Sequence, residues 1–188
     1  MKKILAFTLT CIITTNYLFA QQPSDAETQK WMAYMTPGEE HKMMKAAEGE
    51  WKAKTKMWMD PTQPPMESES KVKCEMILGG RYLSQEFNGS MMGMPFNGMG
   101  IIGYDNAAKK YVGTWIDNMG TGVFYQEGNM KSNNTLEMVG MMVDPMTGKD
   151  MKVKTIYTFM DDKTEKMEMY NVVDGKEIKA MEMIMTKM

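Results

Sequence analysis

Four methionines, Met91, Met92, Met94 and Met99, crowd one glycine-rich stretch that reads SMMGMPFNGMG. Thioether sulfur is a soft donor that suits Cu(I) or Ag(I) and not hard cations, and connections rich in glycine run mostly over the surface. This set is therefore a candidate soft-metal site. The remaining chemistry is sparse. His41 is the one histidine, and Cys11 and Cys74 are the two cysteines. Nucleophilic catalysis needs a base beside its serine or cysteine, and zinc sites want several His or Cys ligands, so neither is well supplied. His41 is spaced to face Met44 and Lys45, which suits a histidine that pins a helix by a hydrogen bond. Carboxylates such as Glu86, Asp105 and Asp117 could flank a glycosidic bond. Asp105-Asn106, however, follows Gly103-Tyr104 in the manner of a turn.

The other methionines fall into a pattern. Met57 and Met59, Met167 and Met169, and Met181, Met183 and Met185 alternate, which puts their sulfurs on one face of a strand. The chain holds 27 methionines, whereas only three leucines, Leu78, Leu83 and Leu136, follow Ala20. Methionine must occupy places where leucine would normally sit, and its unbranched, polarisable side chain adapts to irregular space.

The elements that must position these residues come in two groups. Ser24-Asp25-Ala26-Glu27 has the spacing of a capping box, and Thr36-Pro37-Gly38-Glu39 repeats it with proline at the first helical position. The second helix is expected to run to Gly49, with Met43, Met44 and Ala47 as its apolar stripe. From Trp51 the pattern changes to short alternating segments. Val72, Cys74, Met76 and Leu78 share one face, and Lys71, Lys73, Glu75 and Ile77 the other. Turn signals at Gly79-Gly80, Asp105-Asn106, Asn118–Gly120, Lys131–Asn134, Asp144–Lys149, Asp161–Lys163 and Asp174-Gly175 separate about ten strands. A sheet of that kind removes its exposed edges by closing on itself. The expected fold is mainly β: a closed antiparallel meander barrel of about ten strands, preceded by N-terminal helices.

An ordered set of short motifs carries a resemblance over residues 37–188: Pro37 with His41, Gly49-Glu50-Trp51, Asp60-Pro61, Gly79-Gly80-Arg81-Tyr82-Leu83, Gly103-Tyr104-Asp105 and Trp115-Ile116-Asp117-Asn118-Met119. Together they resemble a family of exported bacterial proteins catalogued as a domain of unknown function, whose barrel is similar to the calycins, the group of lipocalins and fatty-acid-binding proteins. The resemblance implies that Trp51 plugs one end of the barrel. Calycins often lay an arginine of the last strand over that tryptophan; here Lys187 or Arg81 would have to serve. Some similar ten-stranded barrels hold haem through a late histidine, a role that would fall here to His41 or a methionine. No cofactor is expected.

The function expected on these grounds is non-enzymatic binding of a small apolar ligand inside a Met- and aromatic-lined barrel. Tyr82, Phe87, Phe96, Trp115, Phe124 and Tyr157 are the candidate lining residues, because aromatic bodies bury well while Tyr and Trp keep a polar handle. The alternatives are Cu(I) or Ag(I) binding at Met91, Met92, Met94 and Met99, or a filled barrel that binds a partner through its surface.

Residues 1–20 read as a secretory signal peptide: Lys2 and Lys3, a short apolar run, then Ala20 before Gln21. Acylation at Cys11 fits poorly, since Thr8-Leu9-Thr10 precedes it. Residues 21–48 form the helical segment and 49–188 the barrel, with no later run long enough for a transmembrane anchor. The formal net charge of −2 becomes −4 without Lys2 and Lys3, an ordinary surface without the basic patch nucleic acid needs. The protein is thus expected in the periplasm or outside the cell. Mass spectrometry of the exported protein should find an N-terminus at Gln21 or within a residue or two; a retained Met1 or a diacylated Cys11 would contradict that.

Overall fold

The computed structural model describes residues 24–188. The proposed signal peptide lies outside the described residues. Two short helices, α1 (Asp25–Met35) and α2 (Glu39–Lys45), precede ten strands: β1 (Gly49–Met57), β2 (Met66–Ile77), β3 (Tyr82–Met91), β4 (Met94–Asp105), β5 (Lys110–Asp117), β6 (Phe124–Ser132), β7 (Thr135–Val143), β8 (Asp150–Asp161), β9 (Thr164–Val173) and β10 (Lys176–Lys187). Each strand pairs antiparallel with the next, and β1 pairs with β10 from Trp51↔Lys187 to Met57↔Met181, so the sheet is a closed barrel. Among the described residues no helix is long and apolar enough to cross a membrane.

Period-two alternation decides what faces inward. Val72 and Cys74 on β2, Leu83 and Phe87 on β3, Met138 on β7, Val153 and Thr155 on β8, Met167 on β9, and Met183 and Met185 on β10 are all buried. The intervening lysines and glutamates face outward and pair across strands, as in Lys52–Glu69 at 2.7 Å and Lys154–Glu177 at 2.8 Å. Such exposed pairs add little stability each, but they keep the outer face polar. Two expected alternations stop early. Leu78 is 70% exposed because it begins the β2–β3 turn with φ 50°, and Met59 is 77% exposed beyond the end of β1.

The helices differ from expectation at their ends. The capping box at Ser24 is present, with Glu27 N–H donating to Ser24 Oγ and Ser24 N–H to Glu27 Oε2. At α2, however, Gly38 occupies the cap position, and its N–H donates 2.9 Å to His41 Nδ1. His41, 5% exposed, takes the part a glutamate plays in such boxes. The helix ends at Lys45 rather than at Gly49, because the chain turns down into β1. The carbonyls that follow it are met from the barrel: Trp51 Nε1 donates to Ala47 O at 2.8 Å and Lys187 Nζ to Ala46 O at 3.0 Å. A cation and an indole N–H thus satisfy acceptors that a helix end leaves open.

Trp51, 1% exposed, is the plug at this end. Lys187 Nζ lies 5.4 Å from its ring centroid, in the place the calycin resemblance gives to arginine. Arg81 is engaged elsewhere, donating to Leu78 O and to Met35 O of α1. Gly49 is required here twice over: its φ is +131°, and a Cβ would come 3.1 Å from Lys187 Cε. Trp51→Ala should cost about 3–5 kcal/mol in urea denaturation, whereas Trp51→Phe should cost about 1–2 kcal/mol, chiefly for the lost indole bond. Equal losses for the two variants would contradict a plug held by ring packing.

Candidate functional site

The barrel interior is divided. Toward the end away from α2, Phe87, Phe96 and Trp115 pack together, with Phe87 and Trp115 edge to face at 5.1 Å and Phe96 stacked on Trp115 at 6.4 Å. Trp115 Nε1 donates 2.7 Å to Asp117 Oδ2. Gly98 lies beneath this ring, and a Cβ there would collide with it. That half is solid.

Beneath α2 the interior is open. A cavity of about 240 Å³ lies between α2, the inner faces of β3–β9 and the turns at Asn133 and Asp161–Asp162. Met43, Met44 and Ala47 roof it, Trp51, Leu83, Ile102, Met130, Leu136 and Phe159 form its apolar walls, and Gln85, Tyr111, Tyr157 and Glu165 bring polar groups to them. Tyr111 O–H reaches toward Met43 Sδ at 3.9 Å, and burial pushes its pKa to about 12. Tyr157 OH accepts from Gln126 Nε2 at 3.1 Å. Deeper in, Gln126 Oε1 and Thr155 Oγ1 are buried with no hydrogen-bond partner among the described residues.

Glu165 is the buried carboxyl of this wall. It pairs with Met185 and Phe159 in the sheet register, so it faces inward with Met167 and Met169. Burial raises its carboxyl from 4.5 to about 7, and the nearby Lys187 charge only partly offsets that. Its charge, with burial as the larger cause, raises the pKa of Cys74 and of Tyr157. Cys74, 3% exposed, is no nucleophile: burial pushes its thiol up to about 11, and its contact is Gln85 Nε2 at 3.8 Å. His41 spends Nδ1 on the helix cap, and desolvation holds its pKa below the ordinary value. Among the described residues of this wall, neither Cys74 nor Tyr157 has a histidine as its hydrogen-bond partner.

The sequence-based candidates scatter over this frame. Of the six aromatic residues, Tyr157 lies on the cavity wall, while Phe87, Phe96 and Trp115 fill the opposite half and Phe124 pairs with Trp115 beside them. Tyr82 is on the outer face, 37% exposed, because Leu83 takes the inward position and Tyr82 covers Gly103. The methionine stretch is a hairpin rather than a surface loop: Met91 and Met94 pair directly, and Met92 and Gly93 make the turn with φ 52° and 75°. Met99 pairs with Glu86 on the outer face, apart from the other three. Asp105 accepts from Ala107 and Ala108 N–H, as a turn residue does, and Glu86 points outward, so these carboxylates do not converge. Among the described residues no group of three or more His, Cys, Asp or Glu could hold a metal ion.

The family model for "Protein of unknown function (DUF1579)" matches residues 36–187. The chain belongs to the DUF1579 family. The match begins at α2 and spans the whole barrel, so the roof helix is part of what defines a DUF1579 domain here. No curated protein matches the chain. Among solved structures, the crystal structure of Rv2717c from M. tuberculosis is similar, with a TM-score of 0.58 and 13% identity over 81% of this chain and 99% of that one. At that identity the likeness shows a shared barrel fold.

Sequence reasoning passed over Glu165, yet its signal was present: it shares parity with Met167 and Met169, so alternation alone puts a carboxylate inside. Between pH 4.5 and 7 the folded protein keeps the Glu165 proton that the unfolded chain has released, so stability falls as pH rises through this window. Glu165→Gln should therefore match the parent near pH 4 and be more stable at pH 8, by up to about 3 kcal/mol in denaturant titrations. Parallel pH profiles for the two proteins would contradict a desolvated carboxyl.

Proposed function

We propose that this DUF1579 protein is an exported, non-enzymatic binding protein that holds one small, largely apolar molecule beneath α2. The observation that carries the reading is the cavity of about 240 Å³ with apolar walls and a few polar groups, partly roofed by a helix. That composition is typical of small-molecule sites. Its size sets the guest: larger than the ~150 Å³ cavity that takes benzene, smaller than the ~300–1,000 Å³ of drug-sized pockets. A single ring with a short substituent fits, and a long-chain fatty acid does not. Access runs between α2 and the turns bearing Asn133, Asp161 and Asp162. The flexible thioethers of Met43, Met44 and Met130 allow the walls to reshape around a guest.

The Cu(I) alternative has less support. Met91, Met92 and Met94 share one hairpin end, but Met99 leaves on the other face of the strand. The soft set shrinks from four sulfurs to three.

Native mass spectrometry of protein purified from its own host should show a bound molecule of roughly one-ring size, and titration with toluene-sized probes should saturate at one per chain. Ala47→Phe, which fills the roof, should abolish probe binding while leaving the fold intact. Probes that bind the parent and this variant equally would place the site elsewhere; the absence of binding by every probe would refute the carrier reading.

A further inference from the structure

The cavity wall is not chemically neutral, and its buried carboxyl, Glu165, makes no ion pair among the described residues. The Glu165 carboxyl makes no hydrogen bond or ion pair with any described residue; burial and the Lys187 charge act on it. Lys187 is committed elsewhere, donating to Ala46 O at 3.0 Å and lying over Trp51, and it is not among the residues that line the space. The charged groups around the cavity from the other elements are Asp161 and Asp162 at the β8–β9 turn, while α2 contributes only Met43 and Met44. Gln85, Tyr111 and Tyr157 add uncharged polar groups, and Cys74 stays a neutral thiol.

Resting on the binding reading above, we infer that the cavity takes small apolar amines: a single ring or short branched chain carrying a protonated nitrogen. The apolar body sits among Met44, Leu83, Leu136 and Phe159, and the ammonium meets the Glu165 carboxylate. Above pH 7 the carboxylate is ionised in a desolvated setting, so an arriving cation gains a charge-assisted hydrogen bond in a poorly screened site. The acidic rim favours entry of a cation and disfavours an anion. A carboxylic acid of the same shape would bring a second negative charge beside Glu165, with no Lys or Arg among the residues that line the space. The amine preference separates this barrel from carriers of fatty acids.

The Glu165 carboxyl titrates near 7, and simple alkyl amines stay protonated throughout the range of interest. Amine affinity should accordingly rise with pH between 5.5 and 8. Binding of an uncharged molecule of the same shape should change little.

The test uses benzylamine, benzyl alcohol and benzoate, titrated by calorimetry into the full mature protein at pH 5.5 and pH 8. At pH 8 benzylamine should bind at least tenfold more tightly than benzyl alcohol, and benzoate more weakly than either; at pH 5.5 the first gap should narrow. Glu165→Gln should lose the amine preference, binding benzylamine no more tightly than benzyl alcohol at either pH. Equal affinities for benzylamine and benzyl alcohol in the parent would overturn the amine assignment and leave the carrier reading standing. An amine preference that survives in Glu165→Gln would remove Glu165 from the role. Failure of all three probes to bind would overturn both readings together.

Discussion

The pairing of β1 with β10 is the constraint on which the rest depends. Trp51↔Lys187 to Met57↔Met181 joins the first strand to the last, and without it both would be bare edges, open to pairing with other chains. Closure also creates an inside. Trp51 and Lys187 face each other at the α2 end of this seam, and from there they hold the carbonyls of Ala47 and Ala46. The last pair of the seam that closes the barrel therefore also plugs its end and fastens the roof of the cavity.

Given an inside, methionine decides how it is filled. Met138, Met167, Met183 and Met185 are buried in positions that a leucine-rich protein would give to branched side chains. Unbranched thioethers pack less specifically. Where the aromatic trio of Phe87, Phe96 and Trp115 dominates, the interior is dense, with Gly98 pared back to admit the indole. Where methionines from α2 and β6 meet the wall, space remains. The same composition thus gives a firm half and an adaptable half, and the ionisable Glu165 lies in the second.

Much of this was legible in the sequence, for identifiable reasons. Alternation at Val72 and Cys74, at Met167 and Met169, and at Met181 to Met185 fixes inner and outer faces, and turn residues mark the strand ends. Gly49-Glu50-Trp51 announces the plug. What escaped depends on contacts between distant strands. The stretch around Met94 reads as a loop because it is rich in glycine, yet Gly98 answers to Trp115 on the neighbouring strand. Tyr82 reads as a lining residue from its type, whereas the register that puts Leu83 inside sends it out. The shortened α2 reflects the downward turn into β1, and the capping by His41 depends on a glycine cap that the proline before it obscures. Glu165 was readable from parity, but a carboxylate invites an outward placement until the cavity behind it is known.

The central claim is that the space beneath α2 is a real, accessible cavity and not a place where methionines collapse. Crystals pressurised with xenon test it directly, since xenon enters dry apolar cavities and its position is unambiguous. The account predicts a xenon atom bounded by Met44, Leu136 and Phe159, and none among Phe87, Phe96 and Trp115. Crystals with no site beneath α2, or with xenon only in the aromatic half, would contradict it.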